Sequence, residues 1–234
     1  MRENQSASEF DAYAGEYRKH VARALPPGVA EVDAFARVKV WHLIRAIDSV
    51  FPGNSGVEIL DAGCGIGLTD RYLKSAYPNI TGFDVSPKSI ELAAQINPEL
   101  SYYCEPSGHL PFEDGRFDVV VAICVVHHIP PVEWLTFFRQ LHRVMKPKGL
   151  LAIYEHNPWN PATQWVVSRC EFDRDAVLLS SSKCYALAKE AGFAVPRTRN
   201  LLFLPLESPI WCSWERGLFS RLPIGAQYEF IARK

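Results

Sequence analysis

The segment Asp61-Ala62-Gly63-Cys64-Gly65-Ile66-Gly67 places an acid and three alternating glycines directly after the apolar pair Ile59-Leu60. Glycine adopts positive φ without strain and lets backbone N–H groups approach a ligand, so a strand breaking into this turn is suited to cradle a nucleotide-like molecule. The dinucleotide fingerprint needs its third glycine one position later, where Leu68 stands, and the spacing therefore favours a nucleoside without a pyrophosphate. A second acid, Asp84, ends the short run Ile80-Thr81-Gly82-Phe83 about twenty residues on, where a ribose diol would be grasped. Ser86, ahead of Pro87, is the better helix cap, which leaves Asp84 for the ligand.

Proton chemistry points to His127, His128 and His156 as candidate general bases. Histidine has the suitable unperturbed pKa, and all three follow the expected ends of the fourth and fifth strands, where open α/β sheets hold their ligands. Glu155 and Asn157 would orient such a histidine or bind acceptor hydroxyls, although Asn157-Pro158 equally suits a turn. Arg169, Trp159 and Trp165 either shape an acceptor pocket or pack a helix. The histidines at 20, 42, 109 and 142 have no comparable placement. No C-x-x-C pair occurs among the six cysteines, and the only close histidines are the adjacent His127-His128, so no metal site is expected.

These residues need a scaffold of alternating helices and strands. Apolar residues recur at helical spacing over 7–20 and 31–50, and Pro52-Gly53 stops the second run. After the glycine turn the pattern gives a helix over 68–77, a strand over 80–84, a helix over 86–96 and a strand over 101–104, which together make a βαβαβ unit. The run 117–126 is apolar after Asp118, as in a central parallel strand buried on both faces. A helix over 130–145, a turn at 146–149 and a strand over 150–154 follow. The tail holds a helix over 182–191 and candidate strands 197–204 and 227–232, separated by a Pro-, Trp- and Phe-rich stretch, 205–223, read as an insertion near the substrate.

At 234 residues, 48% hydrophobic and 22% charged, the chain suits one α/β domain over 1–234, with 1–52 as N-terminal lid helices. A net charge of −1 with mixed signs gives no footprint for a phosphate backbone, so nucleic acid is not an expected partner. The polar start and the lack of a long apolar run lead to the expectation of a cytoplasmic protein without a membrane span. The hydrophobic segment around Ile210, Trp211 and Trp214 suits either a substrate lid or a dimer contact, so the oligomeric state, monomer or homodimer, stays open.

With its flanks, the Glu58–Gly67 stretch resembles motif I of the class I S-adenosylmethionine-dependent methyltransferases, and Ile80–Pro87 matches the paired ribose motif. Segments 110–118, 126–129 and 141–149 similarly resemble the loops and helix around the fourth and fifth strands in the small-molecule branch. Segments 155–161 and 172–179 look like a subgroup associated with surface-polysaccharide gene clusters, which suggests a sugar or glycosylated acceptor. The resemblance implies a Rossmann-like sheet of seven mostly parallel strands with helices on both faces and an antiparallel last strand. It implies methyl transfer to an oxygen, less readily a nitrogen, of a small-molecule acceptor, with S-adenosyl-L-homocysteine as product. Cofactor contacts are then expected at Tyr17, Asp61, Gly63, Cys64, Gly65, Asp84, Val85 and Ile123, with Asp61 orienting the methionine end and Tyr17 covering it. The family commonly has an acid after the third strand to accept from the adenine amino group. Here Pro106 occupies that place, so either Glu105 serves after a one-residue shift or Ser107 and backbone groups do. Three alternatives accompany this reading: a NAD-dependent oxidoreductase, a non-catalytic S-adenosylmethionine-binding regulatory module, and another S-adenosylmethionine chemistry on the same fold.

Overall fold

The computed structural model describes residues 11, 14–24, 32–202, 204 and 206–234, without the side chains of Tyr17, Arg18 and Phe172. One seven-stranded sheet runs through it in the order β3-β2-β1-β4-β5-β7-β6. The strands are β1 Ile59–Ala62, β2 Ile80–Asp84, β3 Ser101–Cys104, β4 Phe117–Ile123, β5 Met145–His156, β6 Ala194–Leu201 and β7 Gln227–Arg233. Only β7 runs against its neighbours, pairing antiparallel with β5 and β6. The expected Rossmann-like sheet with an antiparallel last strand is therefore the observed one.

Period-two alternation explains why the central strands need cover on both sides. Ile59, Val119, Val121, Leu150, Ala152 and Ile231 pack with Val38, Leu43 and Ile47 of the helix Val32–Asp48. Leu60, Val120, Ala122, Leu151, Ile153 and Phe230 pack on the other face with Phe138, Leu141 and Leu187. Those three come from the helices Trp134–Val144 and Ser181–Glu190. Helix starts follow local chemistry. Ser86 accepts from the Ser89 N–H at 3.0 Å with Pro87 opening the helix Pro87–Ile96, as anticipated, and Asn160 accepts from the Thr163 N–H at 2.9 Å ahead of Pro161–Arg169.

Several bounds differ from the sequence reading. β4 stops at Ile123 and not at Val126, because Cys124 takes φ 58 and Val126–His128 form a 3-10 turn. β5 begins at Met145, with Lys148 at φ 65 and a register shift marking the turn expected at 146–149. Among the described residues, none of 206–223 lines the cavity at the strand C-termini. This stretch contains the helix Pro209–Trp214 and a π-helical turn Glu215–Phe219, and it leans on the helix Val32–Asp48 through Arg37–Glu207 and His42–Glu215 contacts. Among the described residues no helix is long and apolar enough to cross a membrane.

Candidate active site

The strand order reverses between β1 and β4, and open α/β sheets bind ligands outside the strand C-termini at such a reversal. A cavity of about 1000 Å³ lies there. Its floor at β1 is the glycine turn, where Gly63, Gly65 and Gly67 have φ of 89°, 53° and 71°. A Cβ on Gly63 would stand 2.4 Å from Val125 Cγ2, whereas one on Gly65 would meet nothing within 4 Å. Gly65 thus leaves open a space that a ligand can approach.

Three carboxylates surround this turn. Asp84 accepts from the Gly65 N–H with Oδ2 and from the Ser86 N–H with Oδ1, both at 2.9 Å, and burial pushes its carboxyl up. Asp61 is 2% exposed, and its Oδ1 has no hydrogen-bond partner while lining the cavity wall. Burial and the neighbouring Asp70 carboxylate raise Asp61 well above the usual range, and burial brings Asp70 to about 6. Asp70 Oδ2 accepts from Tyr102 OH at 2.9 Å, and Asn97 Nδ2 donates to both Tyr102 OH (2.9 Å) and the Gly67 carbonyl (3.0 Å). The network braces the turn from below. Lys39, on the helix Val32–Asp48, lines the cavity with Asp61 and lies 3.8 Å from Cys124 Sγ.

At the far end, the early stop of β4 swings two histidines over the cavity. Glu155, fully buried on β5, accepts with Oε1 from the N–H groups of Val125 (3.0 Å) and Val126 (2.7 Å), and its Oε2 lies 2.5 Å from His127 Nδ1. Burial opposes the charge on His127, but Glu155 and Asp173 outweigh it and raise the imidazole well above its ordinary value. Burial, joined by the charged His127, lowers His128 to about 3 and His156 to about 4. The ring of His127 lies 4.1 Å from that of His128 and 5.1 Å from that of His156, centre to centre. The cluster thus carries one cation between two carboxylates, beside two imidazoles that are neutral at pH 7.

A model of the methyltransferase domain matches residues 60–153. An uncharacterized methyltransferase of Synechocystis is 33% identical over 147 residues, covering 61% of this chain and 69% of that protein. The chain belongs to the methyltransferase family. The 2-methyl-6-phytyl-1,4-hydroquinone methyltransferase of Synechocystis is 34% identical to it over 59% of the chain, which spans 44% of that relative's length. A SAM-dependent methyltransferase from Thermotoga maritima shares the fold with a TM-score of 0.69 at 16% identity, over 98% of this chain and all of the other. The methyl donor of this methyltransferase is S-adenosylmethionine, and the nicotinamide and non-catalytic alternatives fall away.

The residues present fit that donor. The open space above Gly65 and the unpartnered Asp61 Oδ1 suit its amino-acid end, and Asp84 stands at the end of β2 where the ribose is expected. Asp61, Gly63, Cys64, Gly65, Asp84, Val85, Ile123, His127, His128 and His156 all line the one cavity. Glu155 lies behind His127 and does not line it.

Two expected contacts stand elsewhere. Asn157 does not line the cavity: its Nδ2 donates to the carbonyls of Pro223 (3.0 Å) and Gly225 (2.9 Å) and its Oδ1 accepts from the Trp159 N–H, which engages the amide in loop structure. Glu105 also lies off the cavity, because its carboxylate closes a local turn onto the Ser107 N–H at 3.1 Å, while Pro106, Ser107 and Gly108 form the wall. The Tyr17 side chain lies outside the described residues. Trp159 and Trp165 are exposed, with Arg169 stacked on Trp165 at 4.6 Å, outside the cavity.

Sequence reasoning missed Lys39, Asp173, Gln227 and His109, which line the cavity too. Lys39 interrupts a helix face otherwise built from Ala36, Val40, Leu43 and Ile47, and a charge within such a stripe was the available signal.

Proposed function

We propose that this methyltransferase methylates a hydroxyl oxygen on a small, largely apolar acceptor. The observation that carries the reading is the histidine–carboxylate cluster at one end of a cavity whose wall is in large part apolar. Val21, Val32, Phe35, Phe137, Val166 and Leu204 supply much of the remaining wall. A sugar would leave several hydroxyls unpaired against such side chains, at a cost of about 1–3 kcal/mol each. A phenol or isoprenoid-like alcohol would not. The hydroquinone named for the Synechocystis relative has that character, whereas the sugar reading rests only on the likeness of segments 155–161 and 172–179.

S-adenosylmethionine, when bound, supplies an already activated methyl group. The chain's own residues then have to bind, align and remove a proton. Asp61, which gives up its proton as the ammonium binds, and Lys39 both face the cavity and suit the ammonium and carboxylate of the methionine end, Asp84 suits the ribose diol, and the wall at Pro106–Gly108 borders the adenine. His127 and His128 both turn toward Asp173, whereas His156 Nδ1 is placed 3.4 Å from Gln227 Nε2. Gln227 Oε1 is buried without a partner, and with the amide turned over it accepts from His156 Nδ1–H and leaves the Nε2 lone pair toward the cavity, so we assign the acceptor's proton to His156 Nε2. A hydroxyl becomes strongly acidic as its oxygen is alkylated, so an imidazole held near a pKa of 4 is basic enough to take it.

The test is turnover with phenolic, quinol, isoprenoid-alcohol and sugar acceptors, with product mass and NMR locating the new methyl. His156→Ala is expected to lower kcat by about 10²–10⁴ with S-adenosylhomocysteine affinity retained. Methyl on carbon or nitrogen, or turnover confined to sugars, would overturn the reading.

A further inference from the structure

Asp173 ends the short turn Glu171–Asp173, far along the chain from the two histidines it meets. Its Oδ1 lies 3.5 Å from His127 Nε2 and 3.4 Å from His128 Nε2. Both separations are long for hydrogen bonds, and this oxygen, on a side chain 7% exposed, has no hydrogen-bond partner. Burying a carboxylate oxygen in that state is costly unless a positive charge is shared with it.

The distances suit a different occupant. Ligand atoms about 2.1 Å from a tetrahedral ion stand about 3.4 Å from one another. One ligand atom from each of His127, His128 and Asp173 lies within 4.8 Å of the others, so small side-chain adjustments close the set. Glu155 supports it from behind: with Oε2 at 2.5 Å from His127 Nδ1, one proton is fixed on Nδ1, and Nε2 is the nitrogen that ligates once the ion displaces its proton. All three residues line the cavity, so a fourth position would open onto the acceptor.

We propose that His127, His128 and Asp173 bind a divalent transition-metal ion, zinc by its spacing, with an open coordination position facing the acceptor cavity. Two imidazoles and one carboxylate are a donor set for zinc and for iron or manganese, and the edge length selects the tetrahedral choice. The ion takes the place of the proton shared between the two histidines and Asp173, and His156 stays outside the ligand set. Contact between the ion and the acceptor oxygen rests on the proposed O-methylation. The binding itself does not.

The full chain, stripped with a chelator, is titrated with Zn²⁺ by calorimetry and with Co²⁺ by visible absorption, where a tetrahedral ion absorbs strongly. One equivalent of each is expected. Asp173→Asn and His128→Ala should each weaken binding by about tenfold or more, and Glu155→Gln by about 10–100-fold. S-adenosylhomocysteine binding by the same proteins reports whether the fold and the cofactor pocket are intact. No stoichiometric Zn²⁺ binding in a wild type that binds S-adenosylhomocysteine, or binding unchanged in all three variants, overturns the metal site. Zn²⁺ binding that follows the variants in a chain unable to bind S-adenosylhomocysteine would support the metal site and count against the cofactor pocket instead.

Discussion

Asp70→Asn should stabilise this methyltransferase at pH 8 and leave it unimproved near pH 4. Asp70 is fully buried beneath the glycine turn, where burial raises its carboxyl from 3.8 to about 6 despite the hydrogen bond from Tyr102. A group whose folded pKa lies above its unfolded value stabilises fully below the unfolded value, and that contribution is lost as pH rises through the folded one. The window for Asp70 is therefore about pH 4 to 6, and above it the buried charge costs roughly 3 kcal/mol relative to acid conditions. Asparagine removes the ionisation, can still accept from Tyr102 OH, and can donate its amide to Asp61. Allowing for imperfect replacement of these bonds, the gain at pH 8 is about 1–3 kcal/mol, or roughly 2–4 °C in Tm for each kcal/mol. Urea unfolding of both proteins at pH 4.5 and pH 8 measures it. A variant less stable at pH 8, or equally more stable at both pH values, would refute proton retention by this pair.

Glu155→Gln leaves an amide that cannot accept both from the Val125 and Val126 N–H groups and from His127 Nδ1, so it should cost about 2–4 kcal/mol in urea unfolding; an unchanged midpoint would sink the orienting role. Asn157→Ala strips two carbonyls of their donor and should lower stability by about 1–3 kcal/mol, with acceptor KM little changed; a large rise in KM at full stability would restore it as an acceptor ligand. Asp61 is raised well above 3.8, so pairing with the ligand's ammonium should release a proton at pH 6; calorimetry of S-adenosylhomocysteine binding in two buffers of different ionisation enthalpy reads it, and zero exchange counts against Asp61.

Local constraints made much of this site legible. The turn at 63–67 could be read because positive φ selects glycine residue by residue, and β4 because a strand buried on both faces has to be apolar throughout. The three histidines could be read from their places after strand ends. Asp173, Lys39 and Gln227 could not, because each reaches the cavity from an element whose position only the packed fold decides. Absence of clustered ligands in the sequence likewise gave no hint of His127, His128 and Asp173 meeting. Glu105 shows the converse limit. A one-residue shift looks harmless in an alignment, but the Gly108 N–H binds the Glu105 carbonyl at 3.0 Å and the Ser107 N–H takes its carboxylate, so the turn holds the side chain away from the cavity.

The position that organises the acceptor end is Cys124, whose type carries no sequence signal for its role. Its φ of 58°, uncommon for a residue with a Cβ, ends β4 and redirects the chain into the turn Val126–His128. That redirection frees the N–H groups of Val125 and Val126 from the sheet, and Glu155 on the neighbouring strand accepts both. A fully buried carboxylate is tolerated there because two backbone donors and His127 meet its oxygens. The same bend that satisfies Glu155 brings His127 and His128 to the cavity. The chemistry at this end thus follows from a strand that stops early, and a residue restoring extended backbone at 124 would displace both histidines and leave Glu155 without its donors.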